Sequence, residues 1–232
     1  RALVTYAMKR DAQACRGTGT RWGAILQFFD SADFGGSGGH PTADEIRSDS
    51  YQAVVAGATG LWYFSYARGY SLTETLTGIE QVADEIVGEG GLDGVILSPG
   101  VPQTITKTIV SGPTRSPVVR GEVYDSIQML QKEYHGVYLF AVNIATDTVV
   151  VELGNLPAGT TKVEVLFEGR SIPVSGNTFW DSFAETDVHI YHLPCGHQLH
   201  NSGRKTQPAT DWFSRTSQER TRRLSTACYL WK

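Results

Sequence analysis

A short apolar run with one polar side chain near its end, Trp22-Gly-Ala-Ile-Leu-Gln-Phe-Phe29, does most to limit what this chain can fold into. Such a run suits a strand covered on both faces, and Gln27 is its exception. After Asp30 comes a glycine-rich loop, residues 31–40, and then Pro41-Thr-Ala-Asp-Glu45, in which Thr42 and Glu45 have the spacing of a capping box that satisfies the free amides opening a helix. The helix that starts there carries Ile46, Ser50, Ala53, Val54 and Gly57 on one side, small enough toward its end for close approach to a sheet. Gly60 follows as the expected left-handed stop. Leu61-Trp-Tyr-Phe-Ser-Tyr66 then reads as a second strand. Strands alternating with helices predict a parallel sheet with right-handed crossovers, whose ligands sit beyond the carboxyl ends of the strands. Gln27, Asp30, Tyr66 and Arg68 lie at that end.

The flanks extend the pattern. Residues 1–16 place Leu3, Val4, Ala7 and Met8 at helical spacing before Gly17, and residues from Thr73 to Gly88 do the same with Leu76, Ile79, Val82, Ala83 and Ile86. Four glycines between 88 and 94, with Pro99 and Pro102, mark a linker at residues 89–102. Beyond it the period shortens. Segments 103–110, 118–124, 137–144, 148–153, 162–167 and 188–192 read as strands, separated by turns such as Ser111-Gly-Pro113, Pro157-Ala-Gly159 and Ser175-Gly-Asn177, the pattern of an antiparallel β-sandwich over 103–193. Residues 127–134 fit a short helix as well as a strand. After Pro194 neither period persists, so residues 194–232 are expected to be a disordered tail.

Charge and composition narrow the classes of partner. The formal charge of −4 hides a division: residues 194–232 hold seven Lys/Arg against two Asp/Glu, and the rest hold thirteen against twenty-two. A basic tail attracts acidic surfaces, but with no folded reading element it does not make a nucleic-acid-binding protein. No apolar run approaches the roughly 20 residues of a membrane span, so no membrane partner is expected. Cys15, Cys195 and Cys228 are too scattered for a disulfide framework and leave the compartment open, secretion included. His189, His192, Cys195, His197 and His200 invite a zinc reading, yet their spacing matches no recognised finger, and the first two are more simply placed on the closing strand. The loop Gly35-Gly-Ser-Gly-Gly39 lacks the Lys-Ser/Thr that grips phosphate, and no motif calls for a cofactor or a metal.

The strand ending in Gln27 and Phe29, the stretch Pro41-Thr-Ala-Asp-Glu-Ile-Arg47 and the run from Tyr51 to Tyr66 together resemble the last two βα units of (β/α)₈-barrel glycoside hydrolases, the β-galactosidase-like group and its bacterial relatives. The all-β region is similar to the small sandwich that follows the barrel in many of them. The resemblance implies an α/β plus all-β protein, with a partial (β/α)₈ (TIM) barrel over 1–88 and an immunoglobulin-like antiparallel sandwich over 103–193. It also implies an oligo- or polysaccharide substrate. A complete barrel takes about 200–250 residues, so strands one to six, where such barrels carry the acid/base, are missing from this stretch, and self-association through an open barrel edge is expected.

Glycoside hydrolysis commonly needs two carboxyl groups about 5 Å apart for retention and farther apart for inversion. Gln27 stands where the resemblance expects a glutamate nucleophile, and an amide can bind a sugar hydroxyl but cannot attack. Asp30 is the carboxylate that directly follows a strand and is the candidate catalytic group, against the plainer reading of an aspartate that caps or turns the loop. Asp33 ranks lower, and so does Glu45, which capping already explains. Trp62, Tyr63, Phe64 and Tyr66 could offer a pyranose ring an aromatic platform, and alternation alone does not say which of them face inward. Tyr66 and Arg68 join Gln27 as candidate substrate contacts. The rival reading is a non-catalytic carbohydrate-binding or structural module. A small hydrolase with its own serine is disfavoured by the absence of a G-x-S-x-G elbow.

Overall fold

The computed structural model describes residues 2–18, 20–35, 39–64 and 72–194, all within one compact unit of residues 1–196. Tyr66, Arg68, Cys195, His197, His200 and the basic tail lie outside the described residues.

The amino-terminal third is built as expected from its pattern. Helix α1 (Ala2–Cys15) leads to β1 (Gly23–Gln27), a 3₁₀ turn (Ser31–Phe34), α2 (Ala43–Ala56), β2 (Gly60–Phe64) and α3 (Thr73–Val87). Strands β1 and β2 pair in parallel, Gly23 opposite Gly60 and Gln27 opposite Phe64. Thr42 opens α2 with a complete capping box: its hydroxyl accepts from the Glu45 amide at 3.2 Å, and the Glu45 carboxylate accepts from the Thr42 amide at 2.9 Å. The left-handed residue that ends α2 is Gly57, at φ 103°, while Gly60 already belongs to β2. That corrects the expected stop.

A short helix, α4 (Asp93–Leu97), follows, and then eight strands: β3 (Thr106–Ser111), β4 (Ile127–Glu133), β5 (Val137–Asn143), β6 (Val149–Gly154), β7 (Lys162–Val165), β8 (Arg170–Pro173), β9 (Thr178–Phe183) and β10 (Val188–Leu193). They form a five-stranded antiparallel sheet, β4-β5-β10-β7-β8, and a three-stranded one, β3-β6-β9. The ambiguous residues 127–133 are therefore a strand. Residues 118–124 are not: Val119 and Glu122 exchange backbone hydrogen bonds at 2.9 Å across a tight turn with Arg120 and Gly121 at positive φ, and the apolar Val118 and Val123 point to solvent.

The period-two alternation of the central strands explains why Val137-Tyr-Leu-Phe-Ala-Val142 is apolar throughout. Val137, Leu139 and Ala141 of β5, with Tyr191 and Leu193 of β10, meet Val149, Val151, Leu153 and Phe179 of the three-stranded sheet. Phe140 and Val142, with Val188 and Ile190, face the opposite way, onto Tyr51 and Val54 of α2 and Leu92, Val95 and Ile96 at α4. Both faces of the central sheet are covered, so neither needs polar residues. Helix α2 is likewise buried on two sides, since its Ala53 packs with Met8, Ala24, Leu26 and Ala58 against the parallel pair. Arg47, Tyr51 and Glu85 tie the layers together. The Arg47 guanidinium donates to Glu85 at 2.9 Å and to the Val188 carbonyl at 2.7 Å, and the Tyr51 hydroxyl donates to Glu85 at 2.8 Å. Burial, then the Glu85 charge, drives the Tyr51 pKa far above its usual value.

Candidate functional site

The register of β1 and β2 decides which side chains share a face. Gly23, Ile25 and Gln27 lie on the same face as Gly60, Trp62 and Phe64, while Ala24, Leu26, Leu61 and Tyr63 turn toward α1 and α2. Tyr63 shares a 2.8 Å hydrogen bond with Ser50, and burial pushes its pKa up to about 12. The other face is open: Ile25 is 70% exposed, Trp62 58% and Phe64 53%. The Trp62 indole lies over Gly23, where an added Cβ would fall 1.6 Å from its ring. Of the aromatic run, then, Tyr63 is core, Phe64 stands exposed opposite Gln27 at the carboxyl end of the pair, and the exposed Trp62 indole lies toward the amino end, over Gly23.

Gln27 ends β1, and its amide group donates to the Phe29 carbonyl at 2.9 Å, which holds the side chain at the strand tip and leaves its carbonyl oxygen as an acceptor. Together with Val4, Ser31, His40, Glu45 and Asp49 it lines a cleft of about 260 Å³ between α1, the loop after β1 and the start of α2. Asp30 occupies a different role at the same end. It is the N-cap of the 3₁₀ turn, its carboxylate accepting from the Ala32 amide at 2.8 Å, and the Ser31 amide closes the loop onto Gly39 at 3.0 Å. The carboxylates lining the cleft are Glu45, engaged in the capping box, and Asp49, which accepts from Gln52 at 3.3 Å.

The structure thus brings Gln27 to a cleft and sets Asp30 on the loop above the strand. Glu45 ranks below Asp30 in the sequence because capping explains it, and Asp49 and His40 line the cleft without standing in any motif. Glu45 and Asp49 stand four apart, the spacing that puts two carboxylates on one helix face, and that signal was available. His189 and His192 both stand on β10, beside Glu168 at 2.6 Å and Glu164 at 3.4 Å. Among the described residues no cluster of His, Cys, Asp and Glu could hold a metal ion.

No family model matches the chain, and no relative is found among curated proteins. Solved structures share its fold. The α-amylase of Geobacillus thermoleovorans, determined with acarbose, matches 83% of the chain at 12% identity with a TM-score of 0.51. An Anoxybacillus α-amylase, described as a new glycosyl hydrolase subclass, matches 84% at 10% identity, also with a TM-score of 0.51. The chain spans about two-fifths of each, 43% and 42% of their lengths. What is shared is the fold of this part of those two proteins, and at these identities the likeness speaks for the fold alone.

Proposed function

We propose that the chain is the carboxyl-terminal portion of a glycoside hydrolase. In this reading residues 1–88 are the last βα units of a (β/α)₈ barrel, 89–102 a linker, 103–193 a β-sandwich, and the remainder a basic tail. The observation that carries it is the order of a parallel βαβ unit followed by two antiparallel sheets, in a fold that α-amylases share over most of this chain. The exposed row of Ile25, Trp62 and Phe64 supports it independently, because the inward side chains of a closed barrel are packed by the opposite strands, whereas among the described residues β1 and β2 form a sheet of two strands and these side chains are more than half exposed. The same open face is the surface for the self-association expected of a partial barrel.

The substrate is an oligo- or polysaccharide, bound at the carboxyl end of β1 and β2. Gln27 accepts from a sugar hydroxyl, the exposed Phe64 ring opposite it offers an apolar face to a pyranose ring, and Tyr66 and Arg68 follow the second strand. Asp30 is the catalytic candidate by position. A second reading, a saccharide-binding module without catalysis, is favoured by one observation: the Asp30 carboxylate already serves the Ala32 amide. Aryl-glycoside hydrolysis by wild type and Asp30→Asn decides between them, with a mock purification as control for host enzymes. If Asp30 is an acid, base or nucleophile, the variant loses ~10²–10⁴ in rate. If wild type hydrolyses and Asp30→Asn retains that rate, the catalytic assignment is wrong. If wild type is inert yet binds oligosaccharide, the binding module is the correct reading.

A further inference from the structure

A second cleft, of about 560 Å³, opens away from the parallel strands, between α1, β3, β4 and the loop joining those two strands. Lys9 of α1, Lys107 of β3 and Arg115 of the loop face into it, with Asp125 as its carboxylate. Asp125 is spent between two of these cations, 3.1 Å from the Lys107 ammonium and 2.7 Å from the Arg115 guanidinium. Burial works to raise its pKa, but Lys107, Arg115 and Lys9 outweigh it and hold the carboxyl below its usual range.

Lys9 is the cation left over. Among the described residues no carboxylate comes within ion-pairing distance, and its ammonium lies 4.8 Å from the centroid of the Tyr124 ring. Partial desolvation, then the charge of Lys107, holds its pKa below the ordinary lysine value, against the weaker pull of Asp125 and Glu122. The lining holds three cations, Lys9, Lys107 and Arg115, to the one carboxylate of Asp125, so the cleft keeps a positive excess. An oxyanion beside Lys9 would relieve that repulsion, and a water-filled cleft with low-dielectric walls concentrates the attraction.

The remaining lining points to a hydroxylated carrier. Gln103 and Gln128 donate inward, to the Ile105 carbonyl at 2.8 Å and the Asp125 carbonyl at 2.6 Å, which leaves the carbonyl oxygen of each amide to accept from a ligand. We propose that this cleft binds an anionic saccharide, with a carboxylate, sulfate or phosphate at Lys9 and sugar hydroxyls on Gln103 and Gln128. The lining shares no residue with the cleft at Gln27, so the inference does not rest on the catalytic reading.

Calorimetric titration of the full chain tests it, with glucuronate, glucose 6-phosphate, glucose and inorganic phosphate as probes at low and moderate salt. Lys9→Gln is the variant, chosen because Lys9 is exposed and a helix accepts glutamine; circular dichroism confirms that it is folded. One or both anionic sugars should bind, glucose about tenfold more weakly or not at all, and Lys9→Gln should lose about tenfold in affinity for the anionic sugar. Added salt should weaken binding. Which anionic sugar binds more tightly identifies the oxyanion. Failure of both to bind, or equal binding by Lys9→Gln, overturns the proposal. Inorganic phosphate binding as tightly as glucose 6-phosphate also overturns it, because the hydroxyl contacts would then contribute nothing. Neutral oligosaccharides, which report on the cleft at Gln27, are titrated separately, so either idea can fail alone.

Discussion

Asp181 and Glu168 show how single side chains hold this protein together. Asp181 sits on β9 at an inward position between Phe179 and Phe183, where a carboxylate is costly unless paired. Arg170 pairs with it in bidentate fashion at 3.1 and 2.8 Å, and the Tyr191 hydroxyl donates to it at 2.8 Å. Glu168 completes the group by accepting from Arg170 at 2.7 Å and lying 2.6 Å from His189. Burial alone would raise the Glu168 pKa, but the bonds and charges of His189 and Arg170 outweigh it and bring the carboxyl below its ordinary value of 4.5. A folded pKa below the unfolded one contributes stability that is present above 4.5 and is lost as pH falls through the folded value. Glu168→Gln should therefore melt lower than wild type at neutral pH, and the difference should shrink at pH values well below 4.5. A melting-temperature gap that stays constant across that range would show that Glu168 is not linked to folding in this way.

At the scale of elements, α2 is the piece on which the packing turns, and α3 reaches it at Gly78. A Cβ at Gly78 would lie 2.8 Å from both the Cα and the carbonyl oxygen of Ala43, backbone atoms that cannot swing aside, and the Thr75 hydroxyl donates to the Pro41 carbonyl at 2.6 Å one turn earlier. Helix propensity favours alanine over glycine by about 1 kcal/mol, whereas overpacking costs about 1–3 kcal/mol. Gly78→Ala is predicted to lower stability in urea denaturation, and a gain of about the propensity difference would show that the helices can part. The capping box of α2 was legible in the sequence because both partners lie within one turn. The choice between Gly57 and Gly60 as its stop was not, since either glycine satisfies the local rule. Strand β4 was ambiguous because Gln131 interrupts its apolar pattern; its carbonyl oxygen accepts from the amides of Thr104 and Ile105 at 3.0 and 3.1 Å, partners distant in sequence. Strand β9 escaped notice for a related reason, Asp181 standing where a hydrophobic residue was expected. At the candidate site Gln27 was legible as the one polar residue of its strand, whereas the exposure of Trp62 and the burial of Tyr63 depend on where the helices pack, which alternation alone does not specify.

Within the unit of residues 1–196, the described residues stack helices on one face of the five-stranded sheet and the three-stranded sheet on the other, and the parallel pair lies on the far side of α2. That arrangement buries both faces of the central sheet and, among the described residues, leaves Ile25, Trp62 and Phe64 of the parallel pair more than half exposed. Calorimetric titration with neutral malto-, cello- and xylo-oligosaccharides reads directly the claim that the carboxyl end of the parallel pair, at Gln27, takes a saccharide. One series should bind to wild type. Gln27→Ala should lose a hydrogen bond worth about 0.5–1.5 kcal/mol, roughly threefold to tenfold in affinity, and Phe64→Ala should lose more, since stacking contributes area as well as orientation. Binding that is absent for every series, or that is unchanged in both variants, would contradict the claim.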